Sequence, residues 1–91
     1  MWETSDRQAR RVLLTHVRWR HIAERHPELS SSREAILAAV SSPEEWRRGH
    51  ESNEEWFYAR GVGPSLWVRV VVHYHDDVGS ITTAFPRREL P

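Results

Sequence analysis

The 91-residue chain has no cysteine and no lysine, one methionine, four glycines and five prolines. Without cysteine it can form neither a disulfide framework nor a thiolate metal site, so its stability rests on apolar packing, to which five tryptophans bring large areas. No apolar run approaches the roughly 20 residues that a membrane span requires. The opening Met1-Trp2-Glu3-Thr4-Ser5-Asp6 lacks the basic-then-apolar order of a secretory signal. A cytoplasmic location with no membrane partner is therefore expected, in a single domain spanning residues 1–91.

What is present is charge in balance but not in register. Thirteen arginines offset thirteen acidic residues, yet the two signs are separated along the chain. Arg7 to His26 carries six arginines and three histidines against Glu24 alone, whereas Glu44 to Glu55 carries five glutamates against Arg47 and Arg48. A neutral total argues against a grip on long nucleic acid. A basic segment of guanidinium groups, which bind phosphate as a two-pronged fork, keeps a local phosphate contact open.

Residues 1–11 read as a frayed lead-in or a short helix capped by Asp6. Thr15 is a good N-cap for a first helix that Pro27 stops, with Leu14 and Trp19 at staple positions. On its wheel, Trp19, Ile22, Ala23 and His26 form the packing stripe, and Arg18, His21 and Arg25 share another edge. A second helix begins at the capping-box pattern of Ser31 and Glu34, buries Ile36, Ala39 and Val40, and ends at Pro43. Beyond Trp46 the period changes to two. Residues 55–60, 66–75 and 80–85 read as strands joined by hairpins, and residues 45–49 as a further short strand. In the longest strand Leu66, Val68, Val70, Val72 and Tyr74 should meet the helices, leaving Trp67, Arg69, Val71, His73 and His75 on the other side. The expected architecture is α+β: two or three N-terminal helices packed on one face of a three- to four-stranded antiparallel sheet.

Cations beside an imidazole favour its neutral, proton-accepting form, so His21, between Arg18 and Arg25 on one helix edge, is the candidate general base. His26 ends the helix, where an imidazole can also serve the last carbonyls. Arg18, Arg60 and Arg69 are candidates for holding phosphate. Tyr58 shares a strand face with Trp56 and Arg60, and Thr83 lies in the last strand. His73 and His75 point the same way from one strand, a geometry that transition metals use. A third ligand would have to come from His50, Asp76 or Asp77.

The run Arg18-Trp19-Arg20-His21-Ile22-Ala23-Glu24-Arg25-His26-Pro27-Glu28 is followed by a second helix ending at Pro43. Then come a Phe57-Tyr58 strand, a valine-rich strand and a closing Ile81-Thr82-Thr83-Ala84-Phe85. In this order and over about residues 12–86, the chain resembles the small bacterial and phage domains of the barnase, EndoU, colicin and RelE type of ribonuclease fold. Many of these are toxins of toxin-antitoxin pairs. The resemblance implies a helical N-terminal half on a four-stranded antiparallel sheet, and RNA cleavage with no metal or other cofactor. It places His21, Arg25, His26 and Thr83 in the catalytic site, with Tyr58 at an aromatic position of that site. It also implies an antitoxin or immunity protein as a partner, and admits delivery into a target cell.

The chemistry expected is attack of the RNA 2′-hydroxyl on phosphorus, with His21 as base, arginines on the phosphate, and Thr83, Tyr58 or His26 serving the leaving group. The product is a 2′,3′-cyclic phosphate. The alternatives are a non-catalytic RNA-binding module on the same fold, or an interaction domain that meets a protein partner through Trp67, Val71 and His73.

Overall fold

The computed structural model describes residues 1–91. Six strands form one mixed sheet: β1 (Trp2–Ser5), β2 (Arg11–Leu14), β3 (Glu45–Arg48), β4 (Glu54–Arg60), β5 (Trp67–His75) and β6 (Val78–Arg87). Their spatial order is β1-β2-β6-β5-β4-β3. Helices α1 (His16–Arg25) and α2 (Arg33–Ser41), joined through a 3-10 turn at Pro27–Leu29, lie between β2 and β3 in the chain. The expected arrangement of two or three N-terminal helices on a three- to four-stranded antiparallel sheet is thus corrected: the sheet has six strands, is mixed, and carries only two short α-helices.

The correction has a local cause. Residues 1–11 are neither frayed nor helical, because β1 and β2 pair as an antiparallel hairpin with Trp2 opposite Leu14 and Ser5 opposite Arg11. Asp6 builds the turn. Its Oδ1 accepts the amides of Gln8 and Arg10 at 2.9 and 3.0 Å, and Ala9 adopts a left-handed φ of 65°. β2 then pairs in parallel with β6, Arg11 to Leu13 against Val78 to Ser80. The chain returns between these parallel strands through the helices and the remaining sheet.

Thr15 caps α1 by accepting the Arg18 amide at 3.1 Å, and Pro27 ends it after His26. Ile22 is its fully buried residue, with Trp19 packed at the margin, while Arg18, His21 and Arg25 are exposed. α2 buries Ile36, Leu37, Ala39 and Val40. Ser32 precedes α2 without a side-chain capping bond, so the capping box expected from Ser31 and Glu34 does not set this helix end.

The period-two strands pair antiparallel, β3 on β4, β4 on β5 and β5 on β6. Val12, Leu14, Val68, Val70, Val72, Tyr74, Ile81 and Ala84 face the helices and form one core with them. The alternate residues make a second apolar cluster on the opposite face: Trp56, Tyr58, Trp67 and Val71, with Phe85 and Leu90 packed against it. A β-bulge marks β6, since Val71 faces Thr83 and Val72 faces Ile81, leaving Thr82 between them. No helix is long and apolar enough to cross a membrane.

Candidate functional site

The face of the sheet turned away from the helices is set by the alternation of β4, β5 and β6. Tyr58 stands opposite Arg69, Trp56 opposite Val71 and Arg60 opposite Trp67. From the other side, Phe85 meets Arg69 and Thr83 meets Val71. Arg69 is at the centre. Its guanidinium carbon lies 3.9 Å from the centre of the Trp56 ring and 5.4 Å from those of Tyr58 and Phe85. Its Nε donates to the Tyr58 hydroxyl at 2.7 Å.

Arg69 is 7% exposed, and no carboxylate lies within ion-pair distance of it. The sole buried side-chain polar atom without a partner in the protein is Arg33 Nε, so the terminal nitrogens of Arg69 still reach solvent. A buried guanidinium without a counter-ion is costly unless an anion meets it. Three aromatic rings around a guanidinium whose terminal nitrogens have no protein partner can therefore seat a phosphate or carboxylate, the cation being held meanwhile by cation–π attraction. Arg60 stands over the Trp67 ring at 4.7 Å, adding a second, exposed cation at the rim.

Further along β4 and β5 is a carboxylate–imidazole pair, linked to Arg69 through Trp56. Glu54 faces His73 across β4 and β5, with Oε2 2.9 Å from Nε2. Oε1 accepts the Trp56 indole N–H at 3.1 Å and the His50 amide at 2.8 Å. Burial raises the Glu54 carboxyl, but the His50 amide, His73 and the Trp56 indole outweigh it, and its pKa lies below the ordinary value. The His50 ring packs edge-on against Trp56, 4.8 Å between centroids.

Of the residues that the sequence singled out, this face brings together Tyr58, Thr83, Arg60 and Arg69. His26 joins them at the margin, its ring 6.1 Å from that of Phe85. β6 pairs with β2 only through Gly79 and its two neighbours, so its distal half has no strand beside it and the end of α1 reaches that edge. Arg18, His21 and Arg25 are not on this face. They project to solvent from α1, whose Ile22 is sunk in the core on the other side of the sheet. Sequence reasoning missed Glu54. It noted His73 only as half of a metal motif; His73 pairs with Glu54, while His75, 99% exposed, lies 3.9 Å from Asp76. No group of three or more metal-ligating side chains forms.

A concavity of about 370 Å³ opens elsewhere, on the helix side, among Arg7, Gln8, Arg10, Trp46, Glu55 and Phe57. Apart from the exposed Arg7, its charged groups are bound to one another. Arg10 bonds Asp6 at 2.7 Å and both oxygens of Glu55 at 2.9 and 3.1 Å, and Glu55 also takes the Trp46 indole N–H at 3.0 Å. The Tyr74 hydroxyl completes the network by donating to Asp6 at 2.7 Å, and burial together with the Asp6 carboxylate raises its pKa far above the usual phenol value. This network ties the β1–β2 turn to β4 and β5 and leaves little charge for a ligand. Arg69 is the contrasting case, a sheltered cation with nothing to pair with. Comparison with protein-family models, with curated proteins and with solved structures finds no match to this chain.

Proposed function

We propose that the protein is a metal-independent endoribonuclease of toxin-like type, acting in the cytoplasm, and that the helix-free face of the sheet holds the scissile phosphate. One observation carries the reading: Arg69 is buried among aromatic rings, lacks a carboxylate partner and keeps its terminal nitrogens open to solvent. A guanidinium so placed neutralises charge that grows on phosphoryl oxygens as the 2′-hydroxyl attacks. The Tyr58 hydroxyl fixes its plane, and Arg60 supplies a further contact to the sugar–phosphate chain. Trp56, Tyr58 and Trp67 are each no more than 7% exposed, so they wall the anion seat rather than offer rings for bases to stack on. That favours recognition of the backbone over recognition of the base. An antitoxin or immunity protein that covers this face is the partner the reading implies.

The test is incubation of purified protein with cellular RNA in excess EDTA, alongside Arg69→Lys, which keeps the charge and loses the fork. Fragments ending in 2′,3′-cyclic phosphate, strongly reduced in the variant and absent with DNA, are expected. RNA left intact by the folded wild-type protein would overturn cleavage. RNA retention without cleavage would leave this face as a non-catalytic binding surface.

A further inference from the structure

We propose that His73, oriented by Glu54, is the proton acceptor of the cleavage reaction and that His26, on the far side of Arg69, is the proton donor. The inference rests on the ribonuclease reading above and moves the proton transfers from the helix edge at His21 to the sheet face.

The geometry around Glu54 leaves it one task. Trp56 Nε1–H and the His50 amide occupy Oε1, and Oε2 meets His73 Nε2 at 2.9 Å. A carboxylate held by two such donors cannot swing, and it fixes the imidazole with hydrogen on Nε2 and the lone pair on Nδ1. The Glu54 side chain is 13% exposed and that of His73 33%, so the carboxylate is sheltered and the imidazole is open to a substrate. The Trp56 ring links this pair to the phosphate seat: its N–H binds Glu54 and its face carries the Arg69 guanidinium at 3.9 Å. A phosphate on Arg69 would thus have the His73–Glu54 pair one indole ring away. In the other direction the Phe85 ring stands 5.4 Å from the same guanidinium, and His26 lies beyond it with ring centroids 6.1 Å apart. One imidazole thus lies beyond Trp56 and the other beyond Phe85 from a single arginine, the placement that lets a base and an acid serve opposite sides of one phosphate.

The reaction balances. His73 Nδ1 takes the proton of the 2′-hydroxyl as its oxygen bonds to phosphorus; the bond from phosphorus to the 5′-oxygen breaks, and His26 gives its proton to that oxygen. Arg69 neutralises charge on the nonbridging oxygens throughout. Solvent then returns His73 and His26 to their starting protonation. The titratable and charged groups around His73 are Glu54 from β4, Arg69 and His75 from the same side of β5, and His50 from the loop before β4. Its partner on β6 is the uncharged Ser80.

The test uses the intact protein, an RNA oligonucleotide and the four nucleoside 3′-(4-nitrophenyl phosphates), whose nitrophenolate leaves without a proton. His73→Gln should lose about 10²- to 10⁴-fold on both substrate types, and His26→Gln should lose as much on RNA but recover on the nitrophenyl esters. Glu54→Gln, a change to a positioning residue, should lower kcat with KM little changed and displace the ascending limb of the pH profile. The exposed His75→Ala variant is the comparison and should cleave as the wild type does. Circular dichroism checks each fold; if His73→Gln does not fold, the Glu54→Gln profile and the His26→Gln leaving-group pattern decide. Cleavage by folded His73→Gln within threefold of wild type, or an unshifted Glu54→Gln profile, overturns the assignment while the ribonuclease reading stands. So does loss of activity in His21→Ala together with retention in His73→Gln. A folded wild-type protein inert on all substrates brings down both.

Discussion

The Arg69 guanidinium and the Tyr58 hydroxyl are bonded at 2.7 Å inside a box of aromatic rings, and Tyr58 is completely buried. Each satisfies a polar group that the other would otherwise leave stranded. Removing one partner therefore costs more than removing both, since an unpaired buried hydroxyl costs about 1–3 kcal/mol.

Accordingly, Arg69→Met should destabilise the protein, and adding Tyr58→Phe should recover part or all of the loss, because well-packed apolar groups often match or exceed a buried polar set. RNA affinity should stay low in both. Urea unfolding and filter binding of the two single variants and the double variant complete the cycle; independent, additive effects at the two sites would contradict the pairing.

Acid should unfold the protein through Asp6. Its carboxyl is pushed up by burial but pulled further down by Tyr74, the Arg10 and Gln8 amides and the Arg10 guanidinium, so its folded pKa lies below the ordinary aspartate value. The stability it contributes is complete above the unfolded value and drains away as pH falls through the lower folded one. Asp6→Asn should cost about 3–5 kcal/mol at neutral pH, as expected for breaking a buried ion pair. It should also flatten the pH dependence of the urea midpoint below about pH 4.

Ala9 occupies the left-handed region at φ 65° in the β1–β2 turn, where a Cβ is a burden. Ala9→Gly should raise stability by a few tenths to about 1 kcal/mol, visible as an upward shift of the melting temperature. A downward shift would mean that the unfolded chain's gain in freedom outweighs the relief.

Gly79 faces the opposite constraint. A Cβ there would stand 2.7 Å from Val72 Cγ1 and 2.8 Å from Tyr74 Cε1. Tyr74 cannot swing aside while its hydroxyl is held by Asp6. Gly79→Ala should cost about 1–3 kcal/mol by overpacking, and Tyr74→Ala in the same chain should lessen that increment in a thermal unfolding cycle.

The four strands from Glu45 onward were legible because their side chains alternate, and α1 because Thr15 and Pro27 bracket it. The hairpin of β1 and β2 was not. Its turn uses neither glycine nor an Asn-Gly pair; it depends on the Asp6 side chain and on a left-handed Ala9, both of which look unremarkable in the one-letter string. The bonds that hold it, Arg10 to Glu55 and Tyr74 to Asp6, join residues 45 and 68 positions apart. Leu14, read as the staple partner of Trp19, and Val12 are fully buried strand residues.

Half of the candidate site could be read from spacing. Arg69, Tyr58 and Arg60 were assigned to alternating strands, but the absence of a carboxylate partner for Arg69 is a property of three neighbouring strands together. His21 drew notice through its sequence neighbours Arg18 and Arg25, which are local information. The Glu54–His73 pair depends on register between β4 and β5, and only a pairing that sets Trp56 against Val71 brings the two side chains together.

The parallel contact between β2 and β6 also imposes an order on synthesis. β6 is the strand to which both β2 and β5 bond, so a nascent chain already exposing Trp2, Val12 and Leu14 has no edge on which to lay its first hairpin until β6 has been made. A two-stranded hairpin is at best marginally stable alone, and pairing across most of a chain is slow. The anion seat, with Thr83 and Phe85 in its wall, therefore comes into being only late in translation. A nascent chain thus lacks the complete Arg69 face until β6 has emerged.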